Sequence, residues 1–155
     1  MMLIGKKMFL LCCVMMLSMV AVAQEADNVD GQTRAEFPGG QKALTKFLEK
    51  NIMYPDDAAA YQVEGSVIMT FMVNEDGSLS EITAVDCKLD RFNTTKFTQE
   101  TEERQKELRY QFAKSFAKEG FRLVRKMPKW TPAKVNGKPV RSRFSQRIHF
   151  YVVGK

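Results

Sequence analysis

The stretch Met127-Pro128-Lys129-Trp130-Thr131-Pro132-Ala133, followed by Gly137-Lys138-Pro139-Val140 and a strand-like run to Val152, decides the fold of this chain. Pro128 and Pro132 stiffen the backbone on both sides of the only tryptophan, Trp130. Neither proline can continue a regular helix or a central strand, so the segment reads as a fixed corner leading into a terminal strand. Asn136-Gly137 is a tight-turn signal, and Pro139 stands where a strand would begin. Little chain remains after that strand to cover its outer side. An exposed strand edge can pair with an extended peptide, so the C-terminal strand is the first candidate site.

Along this strand the residue types alternate. Val140, Ser142, Phe144, Gln146, Ile148 and Phe150 would share one face, and Arg141, Arg143, Ser145, Arg147, His149 and Tyr151 the other. Upstream, Leu108, Phe112 and Phe116 recur every four residues, and Phe121, Val124 and Met127 continue the stripe beyond Gly120. This predicts a long helix, capped by Thr98, with Glu100, Glu102 and Glu103 in its first turns and Arg122, Arg125 and Lys126 near its end. Gly120 is expected to kink or divide it. The phenylalanine stripe is expected to face the core rather than a partner helix.

The clearest hairpin lies earlier. Gly65 opens Ser66-Val67-Ile68-Met69-Thr70-Phe71-Met72-Val73, Asn74-Glu75-Asp76-Gly77 forms the turn, and Leu79 to Val85 returns. The first of these strands is apolar on both faces, which places it centrally. Strict alternation would put Ser80, Ile82 and Ala84 opposite Leu79, Glu81, Thr83 and Val85. Before the hairpin, Phe37-Pro38-Gly39-Gly40 introduces a helix bearing Leu44, Phe47, Leu48 and Ile52, and Pro55-Asp56-Asp57 starts a short second one. Leu89 to Phe97 shows no period, and Asn93-Thr94-Thr95 matches a glycosylation sequon. The order helix, strand, strand, helix, strand gives an α+β domain: a three-stranded antiparallel sheet with helices packed on one face.

At the N-terminus, Lys6 and Lys7 precede an apolar run from Met8 to Val20, and Ala21-Val22-Ala23 resembles a cleavage site. Residues 1–23 are thus expected to be a signal peptide, with anchorage in the inner membrane by residues 8–23 as the alternative. The run is shorter than the ~20 apolar residues that span a bilayer comfortably. Removing 23 residues, with two lysines and no acids, leaves 132 residues at net +4. Residues 24–35 read as a disordered leader and 36–155 as one domain.

Several chemistries find no footing. After Cys12 and Cys13 leave with the signal, Cys87 has no disulfide partner, and with His149 it is too little to hold a metal. Gly39-Gly40 lacks the spacing of a phosphate-binding loop, and Asn74, Glu75 and Asp76 supply too few ligands for calcium. No nucleophile, base and orienting group come together in sequence, so no catalytic residue, cofactor or small-molecule substrate is expected. The αββαβ order and Arg141, Arg143 and Arg147 raise nucleic-acid binding as another class. Export and the lack of paired aromatics on the central strands argue against it.

Phe37-Pro38-Gly39-Gly40, Tyr54-Pro55, Gly65-Ser66-Val67, Asp76-Gly77-Ser78, Met127-Pro128-Lys129-Trp130-Thr131-Pro132 and Gly137-Lys138-Pro139-Val140 occur in that order. As a set they resemble the C-terminal domain of the energy transducer TonB, over about residues 36 to 152. The resemblance implies a periplasmic domain whose last strand pairs with a short peptide of an outer-membrane TonB-dependent receptor or another envelope protein. The implied peptide-binding residues are Arg141, Ser142, Arg143, Phe144, Ser145, Gln146, Arg147, Ile148, His149 and Phe150. Pro128, Trp130, Pro132 and Gly137 would be the structural motif, and the edge could also serve a homodimer. Two departures stand out. Such transducers keep an uncleaved anchor and a long proline-rich linker, whereas ten extended leader residues reach at most ~35 Å. Residues 88–114 read as an insertion, expected to lengthen the helix outward, to add no strand, and to be dispensable for the core.

Overall fold

The computed structural model describes residues 31–152. The chain forms β1 (Gln32–Thr33), α1 (Gly40–Asn51), α2 (Asp56–Ala60), β2 (Glu64–Val73) and β3 (Leu79–Arg91). It continues as α3 (Thr94–Thr98), α4 (Glu102–Lys126), β4 (Ala133–Val135), β5 (Lys138–Val140) and β6 (Ser142–Phe150). This is an α+β fold. The main sheet is antiparallel in the order β3-β2-β6, with the apolar β2 central, as its two-sided sequence demands.

A second small sheet, in the order β1-β4-β5, was not expected. Gln32 and Thr33 fall in the segment read as leader, yet they pair with Val135 and Lys134, and Ala35 beyond them is buried. That part of the 24–35 boundary is therefore corrected; the signal and the remaining leader lie outside the described residues. The terminal strand is also divided. Asn136 and Gly137, with φ of 50° and 77°, make the two-residue turn between β4 and β5, and Arg141 separates β5 from β6.

One face of the main sheet carries the core. Val67, Met69, Phe71 and Val73 of β2 and Ile148 and Phe150 of β6 are buried beneath α4, which contributes Leu108, Phe112, Phe116, Leu123 and Val124. Phe116 stacks on Phe150 with centroids 4.1 Å apart. Helix α4 runs unbroken through Gly120, against expectation. A side chain there would meet Met69 Sδ at 2.8 Å and Val67 Cγ1 at 3.1 Å, so the glycine serves close helix–sheet approach rather than a kink. Phe121 leaves the stripe and is exposed, with the Arg125 guanidinium 5.7 Å from its ring centroid. The helix is capped by Thr101, whose hydroxyl accepts the Arg104 N–H at 3.2 Å; Thr98 ends α3 instead.

Glu119 is the buried acid of α4, and its placement accounts for the turn after α1. It accepts the Met53 N–H at 2.7 Å and a two-pronged contact from Arg122 at 2.6 and 2.7 Å. Arg122 also donates to the Asn51 carbonyl at 2.6 Å, satisfying an orphan acceptor at the end of α1.

The insertion follows its reading in part: residues 102–114 form the first half of α4 and no separate strand is added. Its first residues, however, extend β3 to Arg91, and α3 then turns back onto the end of α2. Asn93 of the sequon caps α3, accepting the Lys96 N–H at 3.4 Å. Phe97 is buried and stacks on Phe92 at 4.7 Å, and Phe92 lies 6.3 Å from Phe112. Leu89 also packs against the core. Deleting Asp90 to Glu107 would therefore remove core side chains, and the expectation of a dispensable insertion is withdrawn.

Trp130 packs edge-on against Phe37, Phe71 and Phe144 at centroid distances of 5.7, 5.3 and 4.6 Å, and is 3% exposed. Trp130→Ala should lower unfolding stability by ~3–5 kcal/mol, measured by denaturant titration; an unchanged midpoint would show that the corner carries no core packing. Phe97→Ala should cost a comparable ~3–4 kcal/mol, because its cavity opens onto Phe92 and Tyr61. A loss below ~1 kcal/mol would return the insertion to the status of a surface elaboration.

Candidate peptide-binding edge

Strand β6 pairs with β2 without interruption, from Gly65↔Phe150 to Val73↔Ser142. On its other side no strand pairs with it among the described residues. The predicted alternation holds. Phe144, Ile148 and Phe150 face the core, while Arg143, Ser145, Arg147 and His149 are exposed. The strand is pinned at both ends of its inner face, by Phe144 against Trp130 and Phe71 and by Phe150 against Phe116.

The outer side chains have local roles. Arg147 reaches Ser66 Oγ at 3.2 Å, covering a serine that is buried on the open side of β2. His149 stacks on Tyr151 with centroids 5.6 Å apart. The Gln146 side-chain amide donates to the Arg147 carbonyl at 2.6 Å, as expected for a carbonyl that faces away from β2. Backbone direction alternates along a strand, so Arg143, Ser145 and Arg147 would then present outward N–H and C=O groups together. Arg141 departs from its reading as a member of the peptide-binding strand and lies between β5 and β6. Its guanidinium reaches back to Asn74 Oδ1 at 3.0 Å and to the Glu81 carboxylate, tying the β5–β6 joint to the β2–β3 hairpin.

The other edge of the sheet, β3, is built differently. Its pairing with β2 shifts register three times, and Glu81 adopts a positive φ of 50°. These bulges break the simple alternation predicted for Leu79 to Val85: Leu79 and Ile82 both pack against the core, whereas Val85 is exposed. A kinked, charged edge resists a straight partner strand, whereas the regular β6 edge does not.

The described residues bring together no group of three or more His, Cys, Asp or Glu that could hold a metal ion. Two shallow clefts of about 280 and 380 Å³ lie elsewhere, one between the start of β3 and the end of α4, the other beside Arg91 and Asn93. Burial, with Asp86 nearby, pushes the Cys87 thiol up to about 11, so it is protonated and a poor nucleophile near neutral pH. No helix among the described residues is long and apolar enough to cross a membrane.

The hairpin that Arg141 grips is held by Asp76, a residue first read only as a solvated turn. Asp76 accepts from the Ser78 hydroxyl at 2.6 Å and the Ser78 N–H at 3.0 Å, and lies 3.4 Å from Lys129 Nζ. These partners, the Ser78 hydroxyl foremost, lower its pKa to about 2. A depressed carboxylate stabilises the fold above its unfolded pKa, and that contribution fades as pH falls from about 4 toward 2. Asp76→Asn should therefore melt lower than the parent at pH 6, and the gap should narrow at pH 2. A gap that stayed constant across this range would show that the charge of Asp76 is immaterial.

No family model matches the chain, and no curated protein matches it. Among solved structures it is similar to the NMR solution structure of the Helicobacter pylori TonB C-terminal domain. The two share 18% identity over 72% of this chain and 79% of that one, with a TM-score of 0.38. That likeness is too distant to assign family or function.

Proposed function

We propose that this protein is a binding module of the cell envelope that takes up an extended peptide as a fourth strand beside β6. One observation carries the reading: β6 is a regular nine-residue strand that pairs with β2 in unbroken register and with no strand on its other side among the described residues. An added peptide would satisfy the outward N–H and C=O groups and so gain affinity largely independent of its sequence. Arg143, Ser145, Arg147 and His149 stand beside the incoming strand and would set register and preference. The ordered motifs from Phe37 to Val140 support export to the periplasm and a peptide from an outer-membrane TonB-dependent receptor or another envelope protein. Transport driven by an inner-membrane motor would further require anchorage and reach from the N-terminal residues. The arginines also discourage two copies from pairing edge to edge, although an edge of this length could serve a homodimer.

Proline scanning of β6 tests the proposal because proline removes one backbone donor. Arg143→Pro and Ser145→Pro should leave the melting transition nearly unchanged while weakening receptor-derived peptides by ~10-fold or more. Gln146→Pro should instead cost ~1–3 kcal/mol of stability through the β2 ladder, and Phe144→Pro more than that, because it also removes the ring packed on Trp130 and Phe71. If each proline that spares the fold also spares binding of every such peptide, strand addition at β6 is wrong.

A further inference from the structure

Charge is unevenly distributed along this chain. The first 112 residues contain seventeen of the eighteen acids, whereas the remaining 43 contain twelve Lys and Arg against Glu119 alone. Much of that excess collects at one end of the molecule. Residue Val73 at the end of β2 pairs with Ser142 at the start of β6, and Trp130 N–H donates to Gly77 O in the hairpin that follows β2. Lys129 meets Asp76, and Arg141 meets Glu81, on the same hairpin. The end of α4, the β4–β5 hairpin and the start of β6 therefore converge there, bringing Arg125, Lys126, Lys134, Lys138 and Arg143 with them.

These five side chains are exposed, and none forms an ion pair with a carboxylate among the described residues. They sit on protruding features rather than around a pocket: a helix end, a hairpin and the first turn of an edge strand. Val135, 38% exposed between Lys134 and the turn, and Phe121, 39% exposed under Arg125, add apolar contact beside the cations. A single small anion could not reach so dispersed a set. A plane carrying many fixed anions could engage several of them at once, and shallow apolar residues among cations suit an interface between headgroups and acyl chains.

We infer that this basic end docks on a bilayer surface rich in anionic phospholipid headgroups. The inference is independent of strand addition at β6, since it rests on side-chain charge and not on the backbone edge. Docking would bring the start of β6 close to the membrane plane.

Vesicle sedimentation with the full chain provides the test. Phosphatidylglycerol-rich vesicles are compared with phosphatidylcholine vesicles, which set the baseline contributed by the apolar run 8–20. At low salt the anionic vesicles should bind at least ~10-fold better, and the advantage should vanish at high salt. The combined variant Arg125→Gln, Lys126→Gln, Lys134→Gln, Lys138→Gln should abolish it, with roughly fivefold lost per cation. A control of equal charge change, Lys42→Gln, Lys46→Gln, Lys50→Gln, Lys106→Gln, should retain it. Circular dichroism melts establish that both variants fold. Equal loss in both variants would reduce the effect to net charge and overturn the inference, as would equal binding to the two lipids. Tighter binding to poly-glutamate than to the anionic vesicles at matched charge concentration would also overturn it, identifying an acidic polypeptide as the partner.

Discussion

The contact of Trp130 with Phe71 and Phe144 is the constraint on which the rest of the sheet depends. Phe71 lies on the central strand, Phe144 on the edge strand, and Phe37 at the entrance to α1, so one indole joins three separate parts of the chain. Its backbone N–H donates to Gly77 O at 2.9 Å, which fixes the corner against the β2–β3 hairpin. Gly77 has φ +80°, and a Cβ there would collide with the Trp130 carbonyl, so the hairpin and the corner accept only glycine at their junction. The indole Nε1–H is buried and finds no acceptor among the described residues. Leaving that donor unmet costs about 1–3 kcal/mol, a cost that aromatic packing on three sides must exceed.

That corner also determines which edge of the sheet stays straight. Phe144 against Trp130 and Phe150 against Phe116 hold β6 at two points six residues apart, and between them the strand keeps continuous register with β2. The opposite strand is held by the aliphatic side chains of Leu79, Ile82 and Leu89 and absorbs its irregularities in bulges beneath α4. A bulged strand twists and exposes its backbone unevenly, which makes it a poor template for another chain. The difference between the two edges is therefore a packing difference first and a difference in binding capacity second.

Where the sequence was legible, a local rule and a burial demand agreed. The stripe Leu108, Phe112 and Phe116, the alternation from Ser142 to Phe150, and the Asn136-Gly137 turn each follow from periodicity or turn chemistry, and each is found where expected. It failed where a long-range contact overrode the local pattern. Gly120 looks like a helix breaker until Met69 and Val67 are seen to need its missing side chain. Leu79 and Ile82 share a face only because a bulge at Glu81 changes parity. Phe92 and Phe97 carry no period, since they belong to a strand end and a short helix that meet α2 and α4 in space. Gln32 and Thr33 are polar enough to read as leader, and only their partners in β4 make them a strand.

The edge of β6 and the basic end meet at Arg141 and Arg143 but draw on different forces. Strand addition uses backbone groups, whose hydrogen bonds are short-range and respond little to salt. Headgroup contact uses exposed cations, whose attraction is screened over about 8–10 Å at physiological ionic strength. Arg141 is already committed to Asn74 and Glu81, which stiffens the joint while leaving Arg143 on the open face beside the first residues of the edge. A peptide carrying acidic residues would therefore engage the start of β6 through both forces, and a neutral one through the backbone alone. On the proposed reading, the charge near Arg143 would bias which peptides the edge takes up, while the capacity to add a strand would stay a property of the backbone that Trp130 keeps straight.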